Sequence, residues 1–74
     1  MSFLRHISTY TLKLTYKGVP GQYFFHGLTL EKGNEFIRTI KSKPNSIFLI
    51  EATTGDHIVG IALDSVATFE LYSE

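Results

Sequence analysis

Two segments in the second half of the chain, Ile47-Phe48-Leu49-Ile50 and Ile58-Val59-Gly60-Ile61-Ala62-Leu63, carry an apolar or small residue at every position. A β-strand sends successive side chains to opposite faces, so runs of this kind make strands that need cover on both sides. The chain supplies little to cover them with. Only residues 29–42 show a helical period, with Leu30, Gly33, Phe36, Ile37 and Ile40 along one stripe. A helix of about twelve residues, roughly 18 Å long, covers one face of a sheet of about five strands and leaves the other bare. That second face is then buried by curling of the sheet or by another copy of the chain. The residues expected to hold copies together are Phe48, Ile50, Val59 and Ile61, or their opposites along the same strands.

The remaining pattern places these strands in order. Tyr10, Leu12, Leu14 and Tyr16 alternate with Thr9, Thr11, Lys13 and Thr15, which predicts a half-buried strand over residues 7–16. Lys17-Gly18-Val19-Pro20-Gly21 breaks it, because proline lacks a ladder donor and glycine permits positive φ. A second strand is expected from residue 22 to about 28, so the two form an antiparallel hairpin. Val19 and Pro20 would sit at its tip as a small apolar contact for a partner.

Thr29 is placed to cap the helix, with Glu31 in its first turn and Arg38 and Lys41 toward its end. Pro44 biases Lys43 out of the helical region, so the helix stops near Ser42. Gly33 costs about 1 kcal/mol relative to alanine inside a helix, and is expected where a side chain would clash. Thr53-Thr54-Gly55-Asp56 reads as a turn. A last strand over residues 66–72 puts Ala67, Phe69 and Leu71 on one face and Thr68 and Glu70 on the other. The expected fold is α+β in the order ββαβββ: one small domain over residues 1–74 without a linker, built as a strongly bent antiparallel sheet or partly open barrel with one helix.

Size and composition set the outer limits. A chain of 74 residues has room for one domain and little apolar area for an enclosed active site. With no cysteine, neither disulfides nor thiolate-bound metal can add stability. At 43% hydrophobic and 14% aromatic the chain is too apolar to stay disordered. It has no apolar run long enough to span a bilayer as a helix. Residues 1–10 lack the basic start and apolar core of a signal peptide, so a cytoplasmic location without a membrane partner is the expectation.

The net charge of zero conceals a separation along the chain. Residues 1–45 hold every base (Arg5, Lys13, Lys17, Lys32, Arg38, Lys41, Lys43) against Glu31 and Glu35, a balance of +5. Residues 46–74 hold Glu51, Asp56, Asp64, Glu70 and Glu74 and no base, a balance of −5. Unless strand pairing mixes the halves, the molecule is dipolar and suited to a charged partner or to contact between copies.

No motif for catalysis or metal binding is visible. His6, His26 and His57 stand far apart without HxH, HxxxH or HExxH spacing. No serine lies in a GxSxG turn, and Gly18-Val19-Pro20-Gly21 precedes a strand rather than the helix that a phosphate cradle requires. Asp56 and Asp64 fall at turns, where such side chains cap backbone N–H groups. Neither an enzyme nor a cofactor is expected. Lys32, Arg38, Lys41 and Lys43 could line a helix face against a partner or nucleic acid, and the tyrosines and phenylalanines could stack on bases. A pI near 6.8 argues against nucleic acid for an isolated chain. The expected function is a non-catalytic homo-oligomeric module of regulator or inhibitor type that binds another macromolecule, a protein first. The alternatives are an RNA- or DNA-binding oligomer and a small-ligand or nucleotide binder with a pocket between subunits.

Overall fold

A computed structural model describes residues 9–51 and 55–74. The elements are β1 (Tyr10–Tyr16), β2 (Val19–Leu28), α1 (Leu30–Ser42), β3 (Ile47–Glu51), β4 (Ile58–Ala62), a 3-10 turn over Leu63–Ser65, and β5 (Val66–Ser73). The α+β class and the ββαβββ order are those the pattern predicts. The strands form two antiparallel sheets, β2-β1-β5 and β3-β4, and no barrel closes. The expected strand start at residue 7, His6 and the Thr53-Thr54 part of the turn lie outside the described residues.

The 3-10 turn separates the sheets. It ends β4 and sends β5 back along β1, where Val66 pairs with Tyr16 and Ser65 O accepts from Lys17 N at 2.8 Å. The first hairpin is tighter than expected. Tyr16 pairs with Val19, so the turn is only Lys17-Gly18, with Gly18 at φ 72°. Val19 and Pro20 therefore belong to β2 rather than to a loop tip. Pro20 is tolerated because β2 is the sheet's edge, where a missing donor breaks no interior ladder. The register shifts between Leu14 and Tyr16 and again between Tyr10 and Leu12, so β2 carries extra residues at two places.

Helix α1 starts as its sequence dictates. Thr29 Oγ1 accepts from Lys32 N at 3.0 Å, and the helix ends at Ser42, two residues before Pro44. Its buried stripe joins the two sheets. Phe36 is fully buried and packs edge-on against Phe48 of β3, with centroids 5.2 Å apart, and against Phe69 of β5 at 5.5 Å. Leu12 and Leu14 from β1, Ile61 from β4 and Leu63 from the turn complete the centre of this core.

Candidate interaction surface

The β3–β4 sheet places its two faces in different surroundings. Phe48, Ile50 and Ile61 point inward, 5%, 6% and 1% exposed, and Val59 packs partly buried against them. These four are the residues expected to hold copies together, and the structure commits three of them to the chain's own core. Period-two alternation tells which residues share a face but not which face looks outward. That was decided by Phe36, whose ring occupies the Phe48 side.

The outer face consists of the opposite positions. Ile47 is 64% exposed, Leu49 57% and Ile58 61%. The register sets Leu49 across from Gly60 and Ile47 across from Ala62, so large side chains on β3 stand over small ones on β4. A Cβ at Gly60 would lie 3.3 Å from Ile47 Cγ2 and 3.5 Å from Leu49 Cδ2. Both chains therefore lean across the small column.

The bases of α1 do not form one stripe. At 100° per residue, Lys32 and Lys43 share a side of the helix, and Arg38 and Lys41 share another. Lys32 and Lys43 line a groove of about 360 Å³ between α1 and β3, together with Glu35, Thr39, Ile47 and Leu49. There Lys32 Nζ stands 3.4 Å from Glu35 Oε1 and 5.0 Å from the Phe48 ring centroid. Arg38, Lys41 and Lys43 are exposed and form no ion pair among the described residues. Elsewhere strand pairing mixes the charges. β5 lies beside β1, and Lys13 Nζ meets Glu70 Oε1 at 3.3 Å.

A third feature escaped sequence reasoning because its parts are 63 residues apart. Thr11 is 1% exposed, although its position in the alternation marks it as outward. Its hydroxyl donates to Glu74 Oε2 at 2.8 Å, Thr9 Oγ1 donates to Oε1 at 2.7 Å, and Gly27 N–H donates to Oε2 at 2.7 Å. The register shift near Gly27, at φ 75°, turns that N–H out of the ladder toward the carboxylate. These donors hold the Glu74 carboxyl down at about 2, led by the Gly27 N–H, then Thr9 and Thr11, with a smaller contribution from His26. An ionised carboxylate only accepts, so the Thr11 proton is committed to Glu74. The 2.9 Å contact between Thr11 Oγ1 and His26 Nδ1 is then a bond donated by the histidine.

This network borders an open pocket of about 490 Å³ between β2 and the β3–β4 ends, whose polar lining includes His26, Glu51, His57 and Glu74. The bonds run the wrong way for nucleophilic catalysis. An activated hydroxyl donates to its base and meets substrate, whereas Thr11 is buried and accepts from His26. Among the described residues no group of three or more His, Cys, Asp or Glu side chains is placed to hold a metal ion, and every buried side-chain polar atom has a partner. Among them, too, no helix is long and apolar enough to cross a membrane.

The strongest candidate for function is thus the exposed β3–β4 face with the groove beside it. Comparison of the chain with protein-family models, with curated proteins and with solved structures found no match.

Proposed function

We propose that the protein is a non-catalytic homo-oligomeric interaction module of the regulator or inhibitor type. The β3–β4 sheet holds its copies together, and the exposed bases of α1 with the acidic strands meet another macromolecule. One observation carries this reading: Ile47, Leu49 and Ile58, each more than half exposed, form a contiguous apolar face on a two-stranded sheet. Single exposed apolar side chains are ordinary on any surface, but a contiguous strand face is what association buries.

Light scattering on a size-exclusion column, with absorbance at 260 and 280 nm, tests the reading. The expected mass is a multiple of 8.4 kDa with a protein-like absorbance ratio. Ile47→Glu combined with Leu49→Glu should return a folded monomer, since both side chains point away from the core. A wild-type monomer at all concentrations overturns the reading. A second reading, nucleic-acid binding by an oligomer, is favoured by the exposed Arg38, Lys41 and Lys43, which form no ion pair among the described residues. A high 260 nm signal through the peak would put it first.

A further inference from the structure

The edge of β3 defines how two copies meet. Leu63 N donates to Ser46 O at 3.1 Å, and the β3–β4 register runs without interruption from that point. Antiparallel ladders alternate, so the bonds to β4 fall on Ser46, Phe48 and Ile50. The N–H and C=O groups of Ile47, Leu49 and Glu51 point the other way, toward the groove beside α1. Among the described residues no hydrogen bond occupies that side. Such an edge is a template for another strand.

We infer that β3 pairs antiparallel with β3 of a second copy, about a two-fold axis through Leu49, joining the two sheets as β4-β3-β3-β4. This rests on the self-association proposed above and adds a strand pairing to it: the outer faces of the two copies lie side by side, with Leu49 packed against Leu49. In that register Leu49 faces Leu49 of the other copy, and Ile47 faces Glu51 in both directions. These are the residues whose backbone groups are free, so every one of them is satisfied; a shift of the axis to either side leaves an end unpaired.

Among the described strands no other edge fits its own copy in this way. β4 lies between Asp56 and Asp64, and self-pairing about Gly60 would oppose acid to acid. The β2 edge contains Pro20 and two register shifts. β5 carries Glu70 and no base. The β3 edge has no proline, no lysine and no bulge.

Single cysteines test the arrangement in a chain that has none of its own. Leu49→Cys puts two thiols on directly opposed strands, about 5.5 Å apart at Cα, within disulfide reach. Mild oxidation should convert most of the protein to a disulfide-linked dimer. Ile58→Cys on β4 would lie about 20 Å from its twin, three strand spacings across and four residues along, and should cross-link at least tenfold more slowly. If light scattering gives an oligomer but Leu49→Cys does not cross-link, or only Ile58→Cys does, edge pairing is wrong while self-association stands. A wild-type monomer overturns both.

Discussion

Gly33 of α1 and Leu71 of β5 compete for the same space: a Cβ at position 33 would lie 2.6 Å from Leu71 Cδ2 and 2.7 Å from Cδ1. The glycine is retained inside a helix because that contact brings α1 down onto the sheet. Gly33→Ala gains about 1 kcal/mol of helix propensity but forces the isobutyl group of Leu71 aside, at about 1–3 kcal/mol. The expected net result is a lower melting temperature. Leu71→Ala in the same chain should remove most of the loss, so a double-mutant cycle by thermal or urea unfolding should show coupling of about 1 kcal/mol. Additive effects would sink this account of Gly33.

Phe36 packs its ring against an aromatic ring of β3 and one of β5. Phe36→Ala should cost about 3–5 kcal/mol, a large share of a small domain's stability. Circular dichroism should show an unfolded or barely folded chain. Phe36→Leu, which keeps apolar volume, should remain folded with a lowered melting temperature.

Glu74 links the end of β5 to β1 and β2, and its protonation should loosen that link. Its carboxyl is held near 2 in the folded chain against an ordinary 4.5. A depressed folded-state pKa contributes stability that is complete above about pH 4.5 and is lost as pH falls toward 2. The wild-type melting temperature should therefore fall through that window. Glu74→Gln should start lower at pH 7 and show a flatter profile there. Equal slopes for the two proteins would refute the link.

Thr11→Val removes a buried hydroxyl and its bonds to His26 Nδ1 and Glu74 Oε2, two groups that water also reaches. The expected loss is about 0.5–1.5 kcal/mol, or about 4–8 °C per kcal/mol for a domain of this size. Thr15→Val is the natural control, since the Thr15–Thr68 hydroxyl pair is exposed; it should cost less than half as much.

Arg38→Glu with Lys41→Glu should leave stability within about 0.5 kcal/mol, because both side chains are exposed and unpaired among the described residues. If this face meets the macromolecular partner, the variant should keep its oligomeric mass and lose retention of that partner. Unchanged retention would remove Arg38 and Lys41 from the interface.

Local chemistry determined a large part of this protein. Thr29, Pro44 and the stripe through Phe36 set the helix and both its ends, because capping and periodicity act within a turn or two of the chain. Alternation set the strands and their order, and Gly33 announced a close contact before its partner was known. The tertiary structure decided the rest. In double-sided strands such as β3 and β4, inward and outward positions look alike, so only the seat of Phe36 against Phe48 turned Ile47, Leu49 and Ile58 to the outside. The 3-10 turn at Leu63–Ser65 split one expected sheet into two, β2-β1-β5 and β3-β4. Thr11, His26 and Glu74 meet only because β1 pairs with both β2 and β5, an adjacency that no local pattern encodes.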